Sequence, residues 1–384
     1  MEQLSLGIVA TSRKPDERRL AIHPEHIERI APELRARIFL EEGYGDGFGR
    51  SDAQLALLVA GLRTREQLVA ESDVVVLPKP LAADLEDLRP GQVLWGWPHC
   101  VQDRELTQRA IDRKLTVIAW EAMNHWTDSG SFSLHVFHKN NELAGYCSVL
   151  HALALRGVTG DYGRRLKAAV ISFGATGRGA VQALSALGVH DVAVLSQRRS
   201  AAVASPPGSV RLVHFQHDEA DPSRLLVLRA PGTEPLVDYL RSYDVIVNCI
   251  FQDTEAPLMF VMDDELDRFA PGTLIVDVSC DEGMGFEWAR PTSFAEPMFE
   301  VGDGVHYYGV DHSPSYLWNS ATWEISEALL THLETVMAGP AAWALDDTIQ
   351  RAIEIRDGVV VNPRILSFQH RSAEYPHPIE EDAA

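Results

Sequence analysis

The feature that most constrains the fold of this chain is the stretch AVISFGATGRGAVQALSALGVHDVAVLSQRR, residues 169–199. An apolar run enters a glycine-rich turn, a helix-like segment follows, and a second apolar run ends at two arginines. Neighbouring parallel strands need a long crossover connection, usually a helix, and this strand-helix-strand order supplies one. The stretch therefore predicts an α/β fold built on a parallel sheet.

The turn itself resembles the phosphate-binding turn of dinucleotide-binding proteins. In the usual G-x-G-x-x-G pattern, the glycines permit a tight turn and close helix packing, and the helix N-terminal amides face a pyrophosphate. Here Thr176 stands at the second glycine position, so the pattern becomes G-x-x-G-x-G. The alternative is an ordinary strand-to-helix turn. The predicted cofactor contacts are Gly174, Ala175, Thr176, Gly177, Arg178 and Gly179.

The end of the second predicted strand indicates which dinucleotide binds. An acidic residue there would bind the ribose 2′-hydroxyl of NAD, whereas an arginine can pair with the 2′-phosphate of NADP. This chain has Gln197, Arg198 and Arg199 instead of an acid. These residues favour NADP(H), with NAD(H) possible, unless both arginines are only solvated loop charges.

Alternating strand-like and helix-like segments fill most of the 384 residues. They predict two Rossmann-like doubly wound parallel-sheet domains, with the dinucleotide domain inserted into the substrate domain. The predicted dinucleotide domain spans 141–314, the substrate domain 1–140 plus 315–384, and the cleft between them would hold the active site. Within this pattern, residues 22–34, 320–339 and 346–356 are expected to be helical, and residues 200–226 to form loops.

Composition excludes several classes of protein. A net charge of −21 argues against binding to nucleic acid or to an anionic membrane. No apolar run approaches the length of a spanning helix and no basic segment precedes the first apolar patch, which favours a cytoplasmic protein. The four cysteines are scattered without a C-x-x-C pair, so neither a disulfide framework nor a metal site is expected.

Charged and polar side chains follow several predicted strands, where α/β sheets bind their ligands. Arginine suits a carboxylate clamp, a histidine can transfer protons, and each residue has a plainer alternative as a surface charge or core group. A zinc site at His99-Cys100 lacks further ligands at the required spacing. These candidates do not name a reaction by themselves. They are Arg18, Arg19, Lys79, His99, Asp281 and Glu282.

The whole chain resembles one family. KPDERRLAIHP (14–24), EEGYGDGFGRSDAQL (41–55), LRPGQVLWGWPHC (88–100), AWEAM (119–123), ELAG (142–145) and the long segment 269–315 match its motifs. The family includes alanine dehydrogenases, saccharopine dehydrogenases, N5-(carboxyethyl)ornithine synthases and the soluble domain of proton-translocating transhydrogenase. The resemblance implies that Arg19 binds the substrate carboxylate, Lys79 polarises the reacting carbonyl or imine, and His99 is the general acid/base. It implies that Asp281 contacts the nicotinamide ribose or assists proton transfer, and Ser279 and Asp311 complete the predicted cofactor contacts.

This chain departs from the alanine dehydrogenases at two places. Their lysine lies one place earlier, where this chain has Pro78, so Lys79 is a shifted match. Their turn is GGGxxG, whereas GATGRG resembles that of saccharopine dehydrogenase and, together with PHC and VDHSPS, favours the branch that forms secondary amines. We therefore expect an NAD(P)H-dependent enzyme that reductively condenses a 2-oxo acid with the amine of an amino acid. The alternatives are an alanine-dehydrogenase-like enzyme using ammonia, a transhydrogenase-like subunit, and a non-catalytic dinucleotide binder. Small molecules are the expected partners, with a possible homo-oligomer.

Overall fold

The structure of the chain is a computed structural model that describes residues 3–198, 210–229, 232–253 and 256–380. The chain divides into two compact units. The first comprises Met1–His138 and Trp318–Ala384, and the second comprises Lys139–Leu317. The middle of the chain thus folds separately from its two ends.

In the described part of the chain, the strands in chain order are β1 (Leu6–Ile8), β2 (Ile38–Glu41), β3 (Gly61–Arg63), β4 (Val74–Leu77), β5 (Val93–Gly96), β6 (Thr116–Ala119), β7 (Asn124–Trp126), β8 (Phe132–His135), β9 (Lys167–Ile171), β10 (Asp191–Ser196), β11 (Val210–His217), β12 (Leu225–Arg229), β13 (Gly232–Pro235), β14 (Val245–Asn248), β15 (Met259–Val261), β16 (Leu274–Asp277), β17 (Gly285–Phe286), β18 (Met298–Val301), β19 (Val305–Tyr308), β20 (Ile353–Arg356) and β21 (Val359–Val360).

The α-helices described are α1 (Pro32–Arg35), α2 (Asp52–Leu55), α3 (Arg65–Glu71), α4 (Ala82–Leu85), α5 (Arg104–Asp112), α6 (His138–Leu155), α7 (Ala175–Ala186), α8 (Leu236–Leu240), α9 (Trp318–Leu330), α10 (Leu333–Ala338), α11 (Pro340–Trp343), α12 (Asp347–Ala352) and α13 (Pro363–Gln369). Short 3-10 turns add Pro24–Arg29, Asp46–Phe48, Trp120–Ala122, Asp263–Arg268 and Ser313–Leu317.

The first unit is built on a sheet in the order β21-β20-β6-β5-β4-β1-β2-β3. The strands β1 to β6 are parallel, whereas β20 and β21 extend the edge in antiparallel pairing. The carboxyl ends of β4, β5 and β6 therefore lie side by side at one edge. In this sheet, β2 and β3 follow β1 on one side, whereas β4, β5 and β6 lie on its other side. Parallel sheets bind ligands at the position where the strand order changes direction in this way, here between β1 and β4.

The second unit has its own sheet in the order β13-β12-β11-β10-β9-β14-β16-β19-β18. Its parallel strands, numbered along the chain, are arranged 3-2-1-4-5-6, the order of dinucleotide-binding sheets. The same order describes β1 to β6 of the first unit. The predicted α/β class with two Rossmann-like parallel sheets is confirmed.

Two predicted helices are interrupted for local reasons. The helix expected over 22–34 is a 3-10 turn followed by the short α1, because Ala31 precedes Pro32 and adopts an extended conformation. The helix expected over 320–339 breaks between α9 and α10. There the Thr331 hydroxyl donates to the carbonyl of Ala328 at 2.9 Å, a local bond that competes with the helix ladder.

Two further predictions fail because sheet pairing overrides local pattern. Residues 346–356 are helical only in α12, and the chain then enters β20, whose Ile353 and Ile355 pair with β6. The segment 200–226 is not all loop, because β11 pairs in parallel with β10 over five residues. Its first part lies outside the described residues. In the described ranges no helix is long and apolar enough to cross a membrane.

Candidate active site

The glycine-rich turn links β9 to α7 in the second unit. Gly174 occupies the N-cap of α7, and no side chain caps this helix end. Gly174 is exposed, and a Cβ atom placed on it would meet nothing within 4 Å. The N-terminal amides of a 12-residue helix therefore face open space, which is the arrangement that receives a pyrophosphate.

The other two glycines of the turn are needed for packing. A Cβ on Gly177 would lie 2.4 Å from the carbonyl oxygen of Ser172 at the end of β9. A Cβ on Gly179 would lie 1.7 Å from the carbonyl oxygen of Glu142 in α6. Gly179 thus lets α6 and α7 approach each other. The close contact between helix and strand, which the sequence pattern assigns to the last glycine, depends on Gly177 instead. Arg178 lies over the ring of Phe173, 4.5 Å from its centroid.

The end of β10 carries the residues predicted to select the cofactor. Gln197 and Arg198 are exposed there, and the backbone N–H of Arg198 donates to the Ser196 hydroxyl at 3.0 Å. Arg199 lies outside the described residues. No acid stands at this strand end, in agreement with the sequence.

A buried polar network supports the loop after β16. Asp277 is fully buried, and its carboxylate accepts hydrogen bonds from the Asn248 amide (3.0 Å), the Tyr307 hydroxyl (2.9 Å) and the Cys280 backbone N–H (2.9 Å). Burial raises the pKa of Asp277 to about 7 despite these donors. The network fixes the backbone between Asp277 and Asp281, the predicted catalytic residue of this loop.

The other residues of the second unit that were predicted to contact the cofactor or to transfer protons lie in two loops. Burial raises the pKa of Asp281 to about 6, so this carboxyl can exchange a proton near neutral pH. The Ser279 hydroxyl donates to the carbonyl of Ile250 in the loop after β14. Asp311 lies in the loop after β19 and accepts from Nδ1 of His312 at 2.6 Å. Ser279 and Asp281 therefore follow β16, while Asp311 lies after the next strand of the sheet.

In the first unit, Lys79 and His99 follow neighbouring strands. Lys79 comes after β4 between two buried prolines, which hold its backbone rigidly. His99 comes after β5 in a left-handed conformation with φ of 49°, and 41 % of its side chain is exposed. Its backbone N–H donates to Oε1 of Glu121 at 2.7 Å. The sheet thus brings both predicted residues to one edge.

Glu121 is a further candidate to which the sequence assigned no role, although it follows β6 as Lys79 and His99 follow their strands. Its Oε1 lies 4.0 Å from Nδ1 of His99. Its Oε2 is buried and has no hydrogen-bond partner among the described residues. Burial and the nearby Glu354 raise the pKa of Glu121, whereas the His99 N–H and the Lys79 cation lower it.

Glu354 of β20 is the second member of this carboxyl pair. It is buried, its Oε1 accepts from the Asn362 amide at 3.0 Å, and its Oε2 has no described partner. Burial raises its pKa above that of an exposed glutamate, while the Asn362 amide and the Cys100 thiol lower it. Burial disfavours the ionised form of both carboxyl groups, and an ionised Glu354 further raises the pKa of Glu121, so the two groups do not both lose their protons easily.

The pair makes a testable contribution to stability. A carboxyl that stays protonated in the folded protein but ionises in the unfolded chain destabilises the fold as pH rises above about 4.5. Glu354→Gln removes this cost and keeps an acceptor for Asn362. We expect equal melting temperatures near pH 4 and a more stable variant at pH 8. The gain is roughly 1.4 kcal/mol for each pH unit over which the wild-type proton is retained.

Thermal denaturation from pH 4 to pH 9 measures this difference. Glu42→Gln, at an exposed glutamate of the same unit, is the control and should follow the wild type. A Glu354→Gln variant whose advantage did not grow with pH would show that the pair is ionised in the folded protein.

Arg19 is held by an acid of its own segment. Its Nε and Nη2 donate to the two carboxylate oxygens of Glu17 at 2.8 and 2.5 Å, and both side chains are buried. The guanidinium also lies 5.1 Å from the centroid of Trp97, two residues before His99. Arg19 is thus fixed beside the same strand, β5, that leads to His99. Glu17 is a further residue that the sequence left without a role.

Among the residues described, no group of three or more histidine, cysteine, aspartate or glutamate side chains converges to hold a metal ion. Four tryptophans and one methionine that could line a substrate pocket divide into two groups by burial. Trp95, Trp97 and Met123 are buried in the core of the first unit, whereas Trp126 and Trp318 are only partly buried.

Two family models match the chain and together span most of it. The alanine dehydrogenase/PNT N-terminal domain matches residues 7–144. The alanine dehydrogenase/PNT C-terminal domain matches residues 151–363, more than half of the chain by itself.

Two relatives align with this chain over nearly their whole length. An N(5)-(carboxyethyl)ornithine synthase of Clostridium botulinum is 24 % identical over 86 % of this chain and 94 % of that protein. An alanine dehydrogenase of Mycobacterium tuberculosis is 23 % identical over 94 % of this chain and 95 % of that protein.

Solved structures share the fold. An L-alanine dehydrogenase superposes with a TM-score of 0.74 at 21 % identity, covering 95 % of this chain and 99 % of that chain. A transhydrogenase from Sinorhizobium meliloti gives a TM-score of 0.67 at 20 % identity, covering 93 % and 99 %. At such identities these two likenesses concern the fold alone.

Proposed function

The chain belongs to the alanine dehydrogenase/PNT family, and from that premise we propose that it is a nicotinamide-dependent amino-acid dehydrogenase. In the proposed reaction, a 2-oxo acid condenses with the amine of an amino acid, and the resulting imine is reduced. The observation that carries the proposal is the grouping of Lys79, His99 and Glu121 at the carboxyl ends of three adjacent strands. Arg19 lies beside the same strands.

Arg19 binds the carboxylate of the 2-oxo acid in this scheme. Its bidentate contact with Glu17 fixes the plane of the guanidinium, so little side-chain entropy is lost when a second carboxylate approaches. Holding the substrate by this end orients its carbonyl carbon, which is a positioning effect.

His99 transfers the protons that condensation requires. After attack on the carbonyl carbon, the amine nitrogen loses one proton and the oxyanion gains one to give the carbinolamine. The hydroxyl then gains a second proton, drawn from solvent, and leaves as water, so the nitrogen keeps its last proton as a protonated imine. Imidazole suits both steps because its unperturbed pKa is about 6.5. Glu121 orients His99 through the backbone bond and stabilises the imidazolium when the carboxyl is ionised.

Lys79 stabilises the oxygen that becomes negative during attack. A lysine cation beside the reacting carbonyl favours the charge of the transition state more than that of the ground state. The buried prolines on either side limit its backbone motion, so this charge is preorganised.

The second unit suits a nicotinamide dinucleotide. The open space over Gly174 and the uncapped amides of α7 fit its pyrophosphate, and Ser279, Asp281 and Asp311 stand at the ends of adjacent strands. When bound, this cofactor supplies the hydride that reduces the imine carbon. Asp281, with its raised pKa, is the proposed partner for proton transfer on that side.

The end of β10 supports a preference for NADP(H). Changing Arg198 and Arg199 to alanine is expected to raise the KM for NADPH roughly 10-fold or more, since a charge-assisted contact to the 2′-phosphate is lost. The KM for NADH should stay within about 2-fold, because NADH carries no such phosphate. Steady-state kinetics with both cofactors measures the split, and equal changes for both would contradict the preference.

The function itself is tested by following NADPH and NADH oxidation with pairs of substrates. Pyruvate and 2-oxoglutarate are combined in turn with ornithine, lysine and ammonia. We expect turnover with an oxo acid and a diamino acid, and a secondary amine as product by mass spectrometry. Turnover with ammonia alone would replace the proposal by an alanine-dehydrogenase-like reductive amination. No turnover with any pair would overturn both.

A further inference from the structure

Arg18 is an exposed cation to which the proposed reaction assigns no role. It precedes Arg19 in the chain, but the two guanidinium groups have different surroundings. Arg19 is buried against Glu17 and Trp97, whereas Arg18 is exposed and lies over Trp318, 4.6 Å from the ring centroid. Within the described ranges Arg18 forms no ion pair with an acidic side chain.

Trp318 is held firmly enough to position this arginine. Its ring meets that of Phe48 edge to face at 5.0 Å between centroids. Gly47 borders the indole, since a Cβ there would be in van der Waals contact with the ring at 3.4 Å. The loop after β2 therefore packs against the tryptophan that carries Arg18. A guanidinium over an aromatic face keeps its N–H groups available at its edge for a planar anion.

Arg18 lies in a loop on the same side of the sheet as the residues proposed for the reaction. The loop that carries Arg18 follows β1, the loop with Gly47 follows β2, and Lys79 follows β4. These strands are parallel neighbours, so all three loops emerge at the same sheet edge. Arg18 thus belongs to the same face of the first unit as Arg19, Lys79 and His99.

The proposed condensation brings two carboxylates to one site, because the oxo acid and the amino acid each carry one. In a chain of net charge −21, an anionic substrate needs a local cation for each carboxylate. Arg19 accounts for the first carboxylate and Lys79 for the reacting oxygen. We propose that Arg18, held on Trp318, binds the carboxylate of the amino-acid co-substrate and so selects a diamino acid over a simple amine.

This inference rests on the proposed function, and its test separates the two. Wild-type KM values are measured for lysine and ornithine and for cadaverine and putrescine, the diamines without the carboxylate. Arg18→Ala is expected to raise the KM for both diamino acids roughly 10-fold to 100-fold. Its KM values for the diamines and for the oxo acid should stay within about 2-fold, because those molecules do not use this cation.

Three further variants make the result specific. Trp318→Leu should raise the KM for the diamino acids as well, and Trp318→Phe should restore most of the wild-type value, because an aromatic face remains. Arg29→Ala is the matched control, since this exposed arginine is already paired with Glu327. It should behave as the wild type.

The outcomes are distinguishable. A wild-type enzyme that uses diamino acids, with an Arg18→Ala variant of unchanged KM, would overturn the role of Arg18 and leave the function standing. Equal losses for diamino acids and diamines would also overturn it, because the carboxylate would then not be the group recognised. A wild-type enzyme that reacts only with ammonia would overturn both.

Discussion

Replacing His99 is expected to remove most of the turnover while leaving cofactor binding intact. General acid–base catalysis by one positioned side chain contributes about 10²–10⁴-fold to a rate. His99→Ala and His99→Asn should therefore lower kcat by at least about 100-fold. Asparagine is the more informative variant, because it tolerates the left-handed conformation that His99 adopts.

Three measurements separate loss of chemistry from loss of structure. The melting temperature of His99→Asn should match the wild type, and NADPH should bind with unchanged Kd, since the cofactor contacts proposed above belong to the second unit. His125→Ala, an exposed histidine on the β7–β8 hairpin, is the control and should keep full activity. A His99→Asn variant with near wild-type kcat would remove His99 from the proton-transfer role.

The two outer glycines of the turn should respond in opposite ways to the same small change. Gly179→Ala places a methyl group 1.7 Å from the Glu142 carbonyl oxygen, so α6 and α7 must separate. We expect a loss of unfolding free energy of about 3 kcal/mol or more. Gly174→Ala meets nothing in the protein, and its backbone has a φ of −79° that alanine adopts readily. Its stability should be unchanged.

Cofactor binding completes the comparison. The methyl group of Gly174→Ala projects into the space proposed for the pyrophosphate, so the Kd for NADPH should rise at least about 10-fold. Urea denaturation and fluorescence titration measure the two quantities on the same variants. A stable Gly174→Ala protein with unchanged Kd would move the cofactor away from this turn. A fully stable Gly179→Ala protein would contradict the close approach of the two helices.

Local sequence was sufficient for much of the fold because apolar periodicity specifies strands and helices directly. The strands β9 and β10 correspond to the two apolar runs that flank the predicted turn and helix. Strand ends were therefore identified as well, which led to Lys79 and His99. Side chains that follow the carboxyl ends of parallel strands share one edge of the sheet, so the strand pattern also predicts that these two candidates lie on the same face.

The conformation of other segments depends on strands that are distant in the sequence. The helix-like pattern over 346–356 yields to β20 because Ile353 and Ile355 gain pairing and burial against β6. The polar segment before residue 226 contains β11 because β10 offers a parallel edge. In both places the energy of sheet pairing is a tertiary term that no local window contains.

The sequence by itself determined the α/β class, the strand-turn-helix unit and the arginines and lysine at strand ends, because these follow from patterns of neighbouring residues. Only the tertiary structure decided what each candidate contacts. It placed Glu354 near enough to Glu121 to raise the pKa of that carboxyl, and it gave Arg18 and Arg19 different aromatic partners. It also showed that a Cβ would clash with neighbouring backbone at Gly177 and Gly179 but would meet nothing at Gly174. Burial and contacts depend on residues that are distant in the chain. They decide which charged groups are paired, which groups have a raised pKa and which remain exposed.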